Sequence, residues 1–320
     1  MRFFVRALFI AVCLGCGWVQ AQTFPNRPVT IIVPYPPGGL IDLVARALQP
    51  FLQTELGVPV LAENHGGAGG NVGAEVVARA APDGYTLLLA NPSLAISPTL
   101  YKKLNYRPIE DLAYVGRYGS VANVLVVNPA LPVKTAQELI AYAKKNPGKL
   151  NYGSPGYGTS PQLSSELFKS MSGTYIVHIP FRGAGPATAA LFGGEIEMMI
   201  DNIPPQVGNI KAGKVRALAV TSLQRSSALP DVPTMDEIGL KGYEVVSFFG
   251  LATRAGTPRE TVMRLNTALN NATRDPKLRG ILESRGATVV QGTPDDFLNF
   301  IKAETAKFAP VIKRAGVQVE

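Results

Sequence analysis

The stretch Ile31–Ile32–Val33–Pro34–Tyr35–Pro36–Pro37–Gly38–Gly39–Leu40–Ile41–Asp42 decides the fold. An apolar, β-branched run enters a Pro/Gly turn and leaves it into the helical pattern Leu43–Val44–Ala45–Arg46–Ala47–Leu48. A strand–turn–helix unit of this kind aims a helix N-terminus at the mouth of a sheet. The first amides of a helix have no intrahelical acceptor, so they favour an anion such as a carboxylate. Outward from this unit the chain alternates. Val29–Val33 reads as a strand and Leu43–Leu56 as a helix. Val58–Ala62 is a strand, Gly66–Gly70 a glycine-rich loop, Val72–Arg79 a helix and Thr86–Ala90 a third strand. This βαβαβ order predicts a parallel sheet with crossover helices. Asn123–Val127 follows as a strand, then a helix over Ala136–Lys145 with Thr135 as its N-cap.

The alternation then restarts. Strands are expected at Leu150–Tyr152, Ile176–Ile179, Met198–Ile200 and Ala217–Thr221, with helices at Gln162–Met171 and Ala184–Phe192 and a helical turn at Val207–Lys211. Val245–Ala252 is a further strand. The remainder reads as helices Arg259–Thr273, Pro276–Arg285 and Pro294–Arg314, with a short strand at Thr288–Val290. Two α/β units without a long linker predict two lobes, the second inserted in the first. The expected division is 22–122 with 246–320 against 123–245. The chain crosses near Ser120–Asn123 and Tyr243–Ser247, and two crossing strands make a hinge. A ligand is then expected in the cleft, at the carboxyl ends of the strands.

The amino-terminal 21 residues read as an export signal. Arg2 and Arg6 start it, Ala7–Trp18 is apolar, and Val19–Gln20–Ala21 resembles a small-residue cleavage site. The apolar run is short for a spanning helix. A membrane anchor, or a lipid on Cys16 after Leu14–Gly15, is the alternative. Cleavage after Ala21 leaves 299 of the 320 residues, and loss of two arginines takes the formal charge from +8 to +6. Both cysteines, Cys13 and Cys16, leave with the signal, so no disulfide, thiolate nucleophile or cysteine metal site is expected. The remaining Lys and Arg are scattered without interleaved aromatics, which argues against nucleic acid.

Catalytic chemistry finds little support. His65 and His178 are the only histidines and lack metal-ligand spacing. Gly153–Ser154–Pro155–Gly156 is no nucleophile elbow, because Pro155 removes an amide that an oxyanion hole would use. Ser154 therefore reads as loop structure. Gly66–Gly67–Ala68–Gly69–Gly70 lacks the third fingerprint glycine and the Lys-Ser/Thr of a P-loop. It reads as a tight turn, or as a close backbone approach to the cleft. No cofactor is expected.

The candidate ligand-binding residues come from loops that follow strands. The first lobe offers Tyr35, Pro37, Gly38, Gly39, Leu40, Ile41, Asp42, Asn91 and Ser93. The second offers Gly158, Thr159, Ser160, Phe181, Ala184 and Asp201. Gly158–Thr159–Ser160 opens a helix, where Thr159 is either a ligand contact, an N-cap, or both. Arg182 reads as an ion-pair partner or a surface residue. Asp42 falls in a first helical turn, where it favours the dipole and organises the loop or accepts from a ligand. Asp201 and Asn202 read as hinge or plain turn residues.

In order along the chain, Pro34–Tyr35–Pro36–Pro37–Gly38–Gly39 with Asp42 and Ala45–Arg46, Glu63–Asn64, Gly67–Ala68–Gly69–Gly70–Asn71 and Ala81–Pro82–Asp83–Gly84–Tyr85–Thr86 carry a resemblance. Asn146–Pro147–Gly148–Lys149–Leu150, Gly158–Thr159–Ser160, Asp201–Asn202 and Pro230–Asp231–Val232–Pro233–Thr234 continue it. The chain resembles the Bug receptors, periplasmic solute-binding components of tripartite tricarboxylate transporters, over essentially all of the mature sequence. The resemblance implies an α/β, type II periplasmic-binding fold whose two lobes close on a small carboxylated solute. It also implies a Pro-Gly-Gly turn that holds one carboxylate through ordered waters. The implied partners are the solute and the transporter's membrane subunits, for a monomeric, non-catalytic receptor in the periplasm. A receptor that presents its solute to a membrane sensor and a periplasmic enzyme are the competing readings. Three positions depart from the family pattern. Leu40 stands where Ser or Thr is common, Gln162 where His is common, and His65–Gly66 where Arg-Pro is frequent. The first two bear on the usual ligand more than on the fold, and Leu40 with Ile41 and Tyr35 implies a more apolar pocket suited to an aromatic or medium-chain carboxylate.

Overall fold

The computed structural model describes residues 24–316, 318 and 319. The amino-terminal leader with Cys13 and Cys16 lies outside the described residues. Ten strands form one mixed sheet, in the order β2-β1-β3-β9-β4-β7-β5-β6, with β8 and β10 also on β4. β1 (Val29–Val33), β2 (Val60–Asn64) and β3 (Thr86–Ala90) pair in parallel. So do β5 (Asn151–Ser154), β6 (Val177–Pro180) and β7 (Met198–Asn202). Between these two parallel sets run β4 (Leu112–Val127) and β9 (Val246–Arg254), antiparallel to each other.

β4 is the spine. Its stretch Leu112–Ala122 pairs with β9 and, near its end, with β10 (Ala287–Val289). From Asn123 onward it pairs with β7 and with β8 (Arg216–Val220). The sequence reading placed a strand only at Asn123–Val127. Gly116 and Gly119 interrupt the earlier alternation, and the structure absorbs both as register shifts against β9. Gly119 is required there, because a Cβ would overlap the Phe249 ring. The strands β4 and β9 also make the sheet mixed, where the βαβ order predicted a parallel one.

The helices follow local rules. α1 (Leu40–Leu56) starts three residues earlier than expected, with Gly39 as its N-cap, and ends at Gly57 in the left-handed region. α2 spans Asn71–Ala78. α3 (Ser93–Leu100) was not expected: Pro98 lies inside it, and it is apolar on most faces. α4 (Ala136–Lys145) is capped by Thr135, whose side chain accepts the Glu138 amide, as the sequence implied. α5 (Ser160–Ser172), α6 (Ala184–Gly193) and α7 (Ile203–Lys211) cover the second parallel set. α8 (Arg259–Arg274), α9 (Pro276–Glu283) and α10 (Pro294–Ala315) close the chain. A capping box between Thr293 and Asp296 starts α10.

The apolar cores sort around the two parallel sets. One gathers Ile31, Val33, Leu48, Leu52, Phe249 and Leu265. The other gathers Leu125, Tyr152, Phe168 and Ile200, and it also takes in Ala95, Ile96 and Leu100 of α3 with Phe308 and Ile312 of α10. Two helices attached to the first set thus bury their apolar faces against the second.

Gly250 sits at the middle of β9, where a Cβ would overlap the Phe297 ring and lie 2.6 Å from the Gly116 carbonyl oxygen. Gly250→Ala is therefore expected to cost about 1–3 kcal/mol as overpacking. Urea unfolding checks this, and an unchanged midpoint would show that the site has slack.

Candidate functional site

A cavity of about 120 Å³ lies where the loops after the parallel strands of both sets meet. Tyr35, Pro37, Gly39, Leu40, Ile41, Asn91, Thr159, Ser160 and Ala184 line it, as do Pro36, Pro92, Pro155, Pro161, Arg182, Gly183, Gly185, Pro186, Asn202 and Ser247. Gly38, Asp42, Ser93, Gly158, Phe181 and Asp201 do not reach the wall. Sequence reasoning passed over Ser247 as a contact and read Asn202 as hinge or turn. Ser247 lies in β9 and Asn202 ends β7, where it pairs in register with Asn123 of β4.

The wall begins at β1. Val33 ends the strand, and Pro34–Gly39 turns the chain into α1, whose N-cap Gly39 offers no side chain to the first turn. Asp42 organises this turn. Its Oδ2 accepts the Gly38 amide at 3.0 Å. Its Oδ1 accepts Arg46 Nε at 2.9 Å and Asn64 Nδ2 at 3.0 Å. Asn64 Nδ2 also donates to the Tyr35 carbonyl at 2.9 Å, and its Oδ1 accepts Arg46 Nη2 at 2.9 Å. A single buried carboxylate thus ties the Pro/Gly turn to β2 and to the next turn of α1. Its charge is spent inside the loop, which is why Asp42 stands behind the anion-attracting helix start without opposing it.

Tyr35 fixes the next part of the wall. Its hydroxyl donates to the Gly69 carbonyl at 2.7 Å and lies 3.2 Å from Asn91 Oδ1. Burial raises the Tyr35 phenol far above its usual value, so it remains a neutral donor. Asn91 Oδ1 also accepts the Ser93 amide at 3.0 Å, starting α3. Ser93 is thereby placed behind Asn91, under the wall.

On the opposite side, Thr159 caps α5: its hydroxyl donates to the Gly156 carbonyl at 2.8 Å and accepts the Gln162 amide at 3.4 Å. Gln162 Oε1 accepts the Gly158 amide at 2.9 Å, one residue before the cap, and so ties the loop to the first turn of α5. Ser160 Oγ lies 3.4 Å from Asn123 Nδ2, and Ser164 Oγ accepts the same group at 2.7 Å. Phe181 turns away and packs among Val124, Ala187 and Met199. Asp201 is fully buried on the far face of β7, with Oδ2 accepting Gln206 Nε2 at 2.8 Å. Burial raises its carboxyl above the ordinary value, against hydrogen bonds from Gln206 and Asn202.

Five helices begin at this wall: α1 at Gly39, α3 at Pro92, α5 at Thr159, α6 at Gly183 and α7 at Asn202. Gly39, Gly183 and Asn202 leave the first amides of α1, α6 and α7 without a side-chain cap. Among the described residues, Arg182 is the one charged side chain on the wall. Six prolines with Leu40 and Ile41 supply rigid apolar surface and no side-chain hydrogen bonds. The arrangement suits a carboxylate held by backbone amides, with an apolar body against the prolines.

The structure brings Ser154 and His178 within 2.7 Å of each other, beside the cavity but not on it. Ser154 is fully buried and its hydroxyl also exchanges hydrogen bonds with the backbone of Gly156. His178 is stacked on Tyr152 at 4.6 Å and meets Tyr157 edge-on at 5.0 Å. The pair buttresses the loop before α5. Among the described residues, no group of three or more His, Cys, Asp or Glu could hold a metal ion, and no helix is long and apolar enough to cross a membrane.

A mixed α/β sheet whose two parallel sets point their carboxyl ends at one cavity defines a solute-binding protein of the periplasmic binding class. A solved protein from R. palustris with adipate superposes with a TM-score of 0.88 at 35% identity, covering 92% of this chain and 99% of that one. MatC from Rhodopseudomonas palustris with bound malate superposes with a TM-score of 0.84 at 33% identity, covering 90% and 100%. Protein BugT of Bordetella pertussis is 38% identical over 99% of this chain and 98% of its own length. The family model of the tripartite tricarboxylate transporter family receptor, TctC, matches residues 44–317, and the chain belongs to that family of non-enzymatic transport receptors.

Asp42→Ala strips Gly38, Arg46 and Asn64 of their shared acceptor. A loss of about 1.5–3 kcal/mol is expected, with weaker solute binding. Denaturant titration and calorimetry check this, and equal stability with equal affinity would make Asp42 a bystander. His178 supplies a pH dependence. Desolvation, and then the charge on Lys169, hold it at about 4 against an ordinary value of 6.5. The unfolded chain binds the proton first, so this contribution is intact above pH 6.5 and is lost as pH falls toward 4. Asp201, raised by burial, acts in the opposite sense. His178→Gln is therefore expected to remove part of the acid destabilisation between those pH values. Parallel stability–pH curves for the two proteins would rule it out.

Proposed function

We propose that this chain works in the periplasm as a receptor that captures a small carboxylated solute with an aromatic or medium-length apolar body. Two lobes, 22–122 with 246–320 and 123–245, close on the solute by bending at β4 and β9 and deliver it to the membrane subunits of a tripartite transporter. The leader of residues 1–21 directs export, and the receptor acts as a monomer without a cofactor.

The observation that carries this reading is the composition of the wall. It has one charged side chain, six prolines and three uncapped helix starts. A citrate-like polyanion needs several counter-charges, whereas a single carboxylate is served by the amides around Gly39 and Leu40. Ser160, Ser247, Asn91 and Asn202 supply the remaining polar contacts. Gly38, Asp42 and Ser93 act from behind, by holding the loops. A relative solved with adipate, a linear six-carbon acid, supports a carboxylate with an extended apolar middle.

A thermal-shift and calorimetric screen of the exported protein tests this. The set contains benzoate-type acids, medium-chain mono- and dicarboxylates, citrate, amino acids and neutral amides. A ligand at 100 times its Kd adds about 2.7 kcal/mol of stability. Binding is expected among acids with apolar bodies. Gly39→Val should abolish it at unchanged stability, since Gly39 has extended backbone and open space where the Cβ would go. Tight citrate binding with no aromatic or medium-chain acid bound would overturn the apolar-body assignment. Binding of neutral amides alone would overturn the carboxylate.

A further inference from the structure

The glycine-rich loop at Gly66–Gly70 is not on the cavity wall, yet it is held more firmly than a linker. Gly70 donates its amide to the Gly67 carbonyl at 2.9 Å, and Asn71 Nδ2 donates to the Ala68 carbonyl at 2.7 Å. The Tyr106 hydroxyl donates to Asn71 Oδ1 at 2.8 Å, and Tyr35 holds the Gly69 carbonyl. So anchored to the first parallel set, Gly69 is pressed against the second. A Cβ on Gly69 would overlap the carbonyl oxygen of Tyr157 and come within 3.1 Å of the Tyr101 hydroxyl. Tyr101 and Tyr157 both pack on the core around Tyr152 and Phe168. Gly69 is thus a backbone-to-backbone seam between the two lobes.

We propose that Gly69 is the residue on which closure of the receptor seats, and that Tyr35 couples this seam to the cavity. This rests on the lobe-closure reading above. Tyr35 has its ring on the cavity wall and its hydroxyl on Gly69, so a solute packed against the ring also fixes the strip that meets Tyr157. Only a residue without a Cβ allows that meeting. Any side chain at 69 wedges the lobes apart and shifts the population toward the open form. Tyr35 and Gly69 are positioning residues for closure, separate from the amides that hold the carboxylate.

The backbone penalty of a substitution is separable from the wedge. Gly57 has φ +72°, like Gly69 at φ +65°, but open space where its Cβ would go. Gly57→Ala therefore carries the left-handed strain alone. Spin labels on Val76→Cys and Tyr175→Cys, both exposed and on opposite lobes, report the lobe separation. No native cysteine lies beyond Cys16, so labelling has no background in the exported protein. Distance distributions are recorded without solute and with adipate or benzoate. The expected result is a population at the separation in this structure that Gly69→Ala loses and Gly57→Ala keeps, at similar loss of melting temperature. Tyr35→Phe should reduce that population to an intermediate level. The proposal is overturned if Gly69→Ala keeps the population, or if the parent protein shows none of it under any condition. A parent protein that populates it without responding to either acid supports the seam and counts against the carboxylate reading instead.

Discussion

One strand holds this molecule together. β4 runs for 16 residues and exchanges partners midway: β9 and β10 before Asn123, β7 and β8 after it. A backbone can serve both parallel sets only if the chain stays extended through the exchange. At that point Asn123 donates its amide to Thr221 Oγ1 at 2.8 Å, and Thr221 donates its hydroxyl to the Val245 carbonyl at 2.6 Å. A side chain thereby joins β4 to the residue that leads into β9. Such polar ties are strong when complete, because the surroundings exclude competing water.

The cavity inherits its character from this geometry. All the parallel strands point their carboxyl ends toward it, so helices begin there from both sets. The N-terminal residues of those helices, with few charged side chains, line the cavity. Backbone dipoles fixed by the fold need no reorganisation and carry no counter-charge to bury. Where a full charge is used, at Asp42, it is turned inward to hold the Pro/Gly turn. The prolines on the wall fix their own backbone angles, so the apolar surface loses little freedom when a solute is enclosed.

The same economy explains the contacts behind the wall. Tyr35, Asn91 and Gly69 share hydrogen bonds across three separate loops. Ser154 and His178 do the same under the start of α5, with the imidazole kept neutral by desolvation between two tyrosines. Serine and histidine at hydrogen-bond distance are here a brace, since no carboxylate among the described residues bonds the imidazole and Pro155 follows the serine.

Much of this was legible in the chain itself. The turn at Pro34–Gly39, the helix from it, Thr135 and Thr159 as caps, and the βαβ alternation follow from interactions among residues a few positions apart, which local patterns record. What the sequence could not disclose depends on distant partners. The first part of β4 is masked by Gly116 and Gly119, whose places are set by Phe249 and Asn266 from elsewhere in the chain. α3 is masked by Pro98 and by burial on most faces against a core that only folding assembles. Asp201 looks like a cleft residue from its place at a strand end, but the alternation of a strand's faces turns it into the core, while Phe181, just past β6, is half-buried against an apolar cluster. Ser247 and Asn202 reach the cavity for the same reason. The sequence by itself determined the order of elements and the anion-favouring turn, because both are short-range. The tertiary structure alone decided which side chains face the cavity and where the two parallel sets touch, because those depend on register and packing between segments far apart in the chain.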